Sequence, residues 1–104
     1  MGILNAVMVP HPPLIVPEVG RGEERKIQRT IDAFREAAQF AFDARPDAIV
    51  ITTPHSAVYA DWFHISPGSR ATGSFAKFGA GGVRVDARYD EELVRALCRL
   101  ARER

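Results

Sequence analysis

Two apolar, partly β-branched runs in this chain each end on a proline followed by a histidine. Residues 3–9 lead into Pro10-His11-Pro12-Pro13, and residues 48–53 lead into Pro54-His55. The runs have the length and composition of short buried strands, and proline stops each because it has no N–H to continue a ladder. Between them, after Gly20 and Gly22, an acidic start at Glu23-Glu24 precedes Ile27, Ile31, Phe34, Ala38 and Ala41. Spacings of three and four make that stretch a helix with one apolar face. Strand, helix, strand in this order predicts a parallel βαβ unit, with the helix covering the sheet.

The second half is less regular. Short candidate strands lie at residues 63–65, 74–78 and 83–85, separated by Pro67-Gly68-Ser69 and Gly79-Ala80-Gly81-Gly82. At least one of them is expected to pair antiparallel at the sheet edge. The glycine cluster lacks the G-x-G-x-x-G spacing of a dinucleotide site and reads as a turn. A second amphipathic helix starts at Asp90, a good N-cap, with Glu91-Glu92 in its first turn and Leu93, Val94, Leu97 and Leu100 on one face. Arg99, Arg102 and Arg104 near its end suit the negative pole of the helix dipole. The expected fold class is therefore α/β: a mostly parallel sheet with flanking helices, and an antiparallel edge strand or hairpin in the second half.

A length of 104 residues with 46% hydrophobic content fits one small domain. Fourteen basic against thirteen acidic residues leave a net charge of +1, which gives no nucleic-acid footprint and no charge-driven membrane surface. A small molecule or another chain is the expected partner. The single cysteine, Cys98, lies within the second amphipathic stretch, so it reads as a small packing residue in a reducing, cytoplasmic setting. The N-terminus has no basic region and its apolar run breaks at Pro10, unlike a signal peptide. No stretch is long enough to span a bilayer.

In a parallel sheet the carboxyl ends of neighbouring strands share one edge, about 4.8 Å apart, so imidazoles leaving both ends can converge on one metal ion. His11 and His55 are thus candidate metal ligands. The bland alternative is that each is a solvated loop residue, and spacing alone does not name a metal. His64, within Asp61-Trp62-Phe63-His64-Ile65-Ser66-Pro67, is a candidate substrate-facing group or a support to the ligands, as is Tyr59. The alternative for His64 is a partly buried side chain with one hydrogen bond, and for the aromatics simple core packing. Glu18, Asp61 and Asp86 are candidate carboxylates to complete a two-histidine face; Glu18 follows the loop that bears His11 and Asp61 the loop that bears His55, but neither stands at a strand end in a comparable context, and none of the three is expected to be the ligand.

At Val9-Pro10-His11-Pro12-Pro13-Leu14-Ile15-Val16-Pro17 with Gly20, the chain resembles the class III extradiol ring-cleavage dioxygenase superfamily (catalytic B-subunit type), whose relatives include the Memo-like proteins. Ile51-Thr52-Thr53-Pro54-His55, the stretch from Tyr59 to Gly68, and Tyr89-Asp90-Glu91-Glu92-Leu93-Val94 extend the resemblance across the chain. It implies that residues 1–104 are the N-terminal part of such an α/β domain. It also implies that His11 and His55 are two ligands of a mononuclear non-haem Fe(II), Zn(II) being the other candidate, which adds O2 to a catechol-like aromatic substrate. The family's carboxylate ligand and acid-base histidine come from later segments of a longer domain, so the resemblance implies a truncated chain with an incomplete site, completed by a second chain or a homo-oligomer. A non-catalytic metal-binding or protein-interaction module of the same fold is the competing expectation, and an inactive α/β fragment the third.

Overall fold

The computed structural model describes residues 2–55 and 57–103. These fall into two compact units, Met1–Asp47 with Ser74–Arg84, and Ala48–Gly73 with Val85–Arg104. The regular elements are α1 (Pro17–Gly20), α2 (Gln28–Asp43), β1 (Arg70–Phe75), β2 (Ala80–Arg88) and α3 (Glu91–Arg102), with short 3-10 turns at Pro13–Ile15, Glu23–Ile27 and Ala76–Phe78.

In the first unit the proline cluster dictates the local path. Pro12 sits at φ −68° and ψ 134°, and Pro13 opens a 3-10 turn closed by Ile15 N–H to the Pro12 carbonyl at 3.1 Å. Pro17 then takes the first position of α1, where a missing N–H costs nothing. α1 lasts one turn because Arg21 and Gly22 both adopt positive φ, 50° and 100°. The chain re-enters helix through Glu23–Ile27, and the predicted helix follows as α2. Ile27, Ile31, Phe34 and Ala41 lie on its more covered side as expected, with Ile31 buried. Ala37 rather than Ala38 completes that stripe, because Ala38 is exposed. On the open side Gln28 and Gln39 donate to Asp32 and Asp43, each four residues on, at 2.9 and 2.7 Å. α2 ends where Arg45 turns left-handed at φ 51° and its N–H reaches the Phe42 carbonyl at 3.0 Å, just before Pro46.

The sheet is a two-stranded antiparallel hairpin, β1 with β2. The antiparallel pairing expected in the second half is present, with shifted bounds. β1 begins before the candidate at 74–78, which runs on into the 3-10 turn, and β2 extends the candidate at 83–85 on both sides. The reversal is made by Ala76–Phe78 and by Gly79 at φ 78°, whose N–H bonds the Ala76 carbonyl at 3.0 Å. Gly81 and Gly82, expected in the turn, are strand residues. Arg70 and Asp86 pair across the strands, with Arg70 Nε donating to Asp86 Oδ1 at 3.3 Å. Both are exposed, so the pair adds at most about 1 kcal/mol.

Three expected strands do not form. Residues 3–9, 48–53 and 63–65 carry no strand pairing, and the described residues contain no parallel pair. A strand exists through its neighbours: without an adjacent ladder the backbone N–H and C=O groups turn to water. A parallel sheet further needs cover on both faces. Here the apolar side chains are open, Met8 at 98% and Ile51 at 80% exposure. Asn5, the polar residue that interrupts the first run, ties it to α2 by donating Nδ2–H to the Phe40 carbonyl at 3.3 Å.

In the second unit α3 forms where the capping pattern places it. The Asp90 carboxylate accepts from Leu93 N–H at 3.0 Å, and Arg95 pairs with Glu91 one turn back at 3.3 Å. Arg99 and Arg102 occupy the last turn, while Arg104 lies outside the described residues. Leu93 and Val94 are half-buried, whereas Leu97 and Leu100 remain open on the same apolar face. Among the described residues no helix is long and apolar enough to cross a membrane.

Candidate functional site

His11 belongs to the first unit and His55 to the second, and both are exposed. Each is framed by its own rigid turn. Behind His11 the Pro12-Pro13 pair fixes two successive φ angles, and the 3-10 turn and α1 follow without slack. At His55 the backbone N–H donates to Thr53 Oγ1 at 3.3 Å, so the hydroxyl two residues back closes the turn that Pro54 starts. The proline before each histidine also disfavours the α region at the residue ahead of it, Val9 and Thr53.

A two-histidine metal face needs a third donor, commonly a carboxylate. Among the described residues no group of three or more His, Cys, Asp or Glu side chains gathers to hold a metal ion. Imidazole is a suitable ligand chemistry, but these residues do not assemble the full donor set. Of the carboxylates weighed from sequence, Asp86 is engaged by Arg70, Glu18 stands exposed in the first turn of α1, and Asp61 is exposed in the turn after His55.

Tyr59 and His64 are brought together. Their ring centroids lie 6.5 Å apart, tilted by 41°. With Trp62, Phe63, Ile65 and Cys98 they line an open cleft of about 360 Å³ within the second unit. Phe63 and Ile65 read as strand residues in the sequence and instead face this cleft. Cys98 arrives from α3, more than thirty positions along the chain, and nothing in its spacing marks it as a wall of an aromatic site; its thiol is free and half-buried. Among the described residues no Asp, Glu, Lys or Arg lines the cleft.

The family described as the catalytic LigB subunit of aromatic ring-opening dioxygenase matches residues 5–104, a span that includes His11, His55, Tyr59 and His64. Protein CA_C1420 of Clostridium acetobutylicum is 36% identical over 101 residues, covering 97% of this chain and 22% of that protein. The chain thus spans about a fifth of the length of this curated relative. No solved structure matches it. With nearly every residue inside the match, the chain belongs to the family of the catalytic LigB subunit of aromatic ring-opening dioxygenases.

Proposed function

We propose that this chain supplies part of a metal-dependent extradiol dioxygenase, in which His11 and His55 are two ligands of one non-haem ion, Fe(II) in preference to Zn(II). The observation that carries the reading is the family match over residues 5–104, which takes in both proline-histidine turns. When bound, such an ion on a facial ligand set would hold a catechol-like diol and O2 side by side for ring opening. The chain's own contribution is to present two imidazoles on turns stiffened by proline and by the Thr53 hydroxyl. The third donor comes from further polypeptide, either more of a longer protein, a second chain or a second copy. Residues 3–9 and 48–53 are then parallel strands of the complete domain, their apolar side chains covered by it. A reducing cytoplasm suits both the ferrous ion and the free thiol of Cys98.

A second reading is favoured by the open apolar runs and the incomplete donor set: a non-catalytic interaction module of the same fold, whose partner complex survives EDTA. Anaerobic calorimetric titration with Fe(II) separates the two. The dioxygenase reading expects about one ion per site, with binding lost in the double variant His11→Ala, His55→Ala. Equal affinity in the parent and the variant, or no binding by either, overturns it.

A further inference from the structure

Among the described residues only Gly20, Ile31 and Ala80 are buried, and two of these adjoin a single contact. Arg21, next to Gly20, donates from Nη2 to the carbonyl of Gly79, next to Ala80, at 3.5 Å. The contact joins positions 58 apart in the chain, yet both ends lie in the first unit, the one that bears His11. It ties the turn after α1 to the tip of the β1–β2 hairpin, and a Cβ on Gly79 would stand 3.4 Å from the same guanidinium nitrogen.

Arg21 holds a backbone that suits it poorly. At φ 50° and ψ 43° it is left-handed, a conformation usual for glycine or asparagine at a helix end and costly for other residues. Glycine would close α1 as well, so the conformation does not account for an arginine here. The reach of its guanidinium to the hairpin does. On the other side, the path from Arg21 back to His11 has no loose link. Arg21 N–H bonds the Pro17 carbonyl at 2.8 Å, Gly20 N–H the Val16 carbonyl at 2.9 Å, and Val16 and Ile15 N–H the Pro13 and Pro12 carbonyls at 3.1 Å. These bonds overlap along the chain from Pro12 to Arg21, and Pro12 and Pro13 have fixed φ, so a shift of α1 carries the proline-rich turn with it.

We propose that Arg21 is a positioning residue for His11: by clasping the hairpin tip it fixes α1, and through α1 the place at which the Pro10–Pro13 turn presents the imidazole. The proposal rests on the reading of His11 as a ligand, and adds a residue outside the histidine turns on which that ligand's placement depends.

The test follows the ring carbons of the three histidines by 13C relaxation in the full chain, in EDTA, with the His11 signal assigned by its loss in His11→Ala. Arg21→Gly removes the clasp and accepts the left-handed backbone without strain, so its urea midpoint is kept or raised. Arg21→Lys keeps a donor on a long side chain. The expected result is greater mobility of the His11 ring in Arg21→Gly, parent-like mobility in Arg21→Lys, and no change at His55 and His64, which belong to the second unit. Unchanged His11 mobility in Arg21→Gly overturns the proposal. Equal loosening of all three histidines with a lowered urea midpoint also overturns it, because Arg21 is then a general stabiliser. In the anaerobic Fe(II) titration Arg21→Gly should bind about threefold or more weakly than the parent, and equal affinity overturns the proposal. A parent that binds no Fe(II) removes the metal reading, while the relaxation measured without metal still decides whether Arg21 positions His11.

Discussion

Gly20 closes α1 at a point with no room for a side chain. A Cβ there would stand 2.9 Å from Glu24 Cβ and 3.0 Å from the Leu14 carbonyl oxygen. Glu24 cannot swing away freely, since its carboxylate accepts from Gly22 N–H at 2.7 Å and so holds the left-handed turn behind α1. Gly20→Ala should therefore destabilise the chain by about 1 to 3 kcal/mol through overpacking, read as a lower urea midpoint at unchanged slope. An unchanged midpoint would mean that α1 shifts to accept the methyl group. Because this glycine lies nine residues after His11, the same variant reports on how firmly the proline-rich turn is anchored. The two histidines show the limit of residue-level reading: the sequence places each after a proline, but the donor set that would join them is not assembled by any neighbouring residue described here.

At the scale of elements, α3 follows its sequence signals closely because those signals are local. The cap bond from Leu93 N–H to the Asp90 carboxylate, the acidic first turn and the basic last turn all act within one helix. Asp90→Ala should remove one cap hydrogen bond and cost about 1 kcal/mol, seen as reduced helicity at 222 nm and a lowered thermal midpoint, while Asp90→Asn should retain most of it. The β1–β2 hairpin was legible as an antiparallel pair but not in its bounds. Glycine at 79, 81 and 82 reads equally as turn, and only the placement of Gly79 at positive φ selects which glycine turns the chain. Residues 3–9 and 48–53 have the composition of strands, yet composition supplies no hydrogen-bonding neighbour. Their failure to pair follows from what surrounds them, in contrast to α2 and α3, whose backbone bonds are internal.

For the molecule as a whole, ligand binding and stability are linked. If His11 and His55 hold an ion, the folded form gains about 2.7 kcal/mol once free Fe(II) exceeds its dissociation constant a hundredfold. Anaerobic Fe(II) should then raise the thermal midpoint by several degrees, EDTA should reverse the shift, and the His11→Ala, His55→Ala variant should show none. A shift of equal size in the variant would place the ion elsewhere. Residues 3–9 and 48–51 hold apolar side chains open to water, and the chain spans about a fifth of its curated relative's length.

The sequence by itself determined α2 and α3, the Asp90 cap of α3, the proline-histidine turns and the family, since each is written in neighbouring residues or in matched motifs. Tertiary structure alone decided which apolar runs pair and which stay open. It also decided that Gly79 makes the hairpin turn, that Asp86 serves Arg70, and that Cys98 meets the aromatic turn beyond His55. The physical reason is the reach of the interactions: helix and turn bonds close over a few residues, whereas strand pairing and cleft lining join groups that only the folded chain brings together.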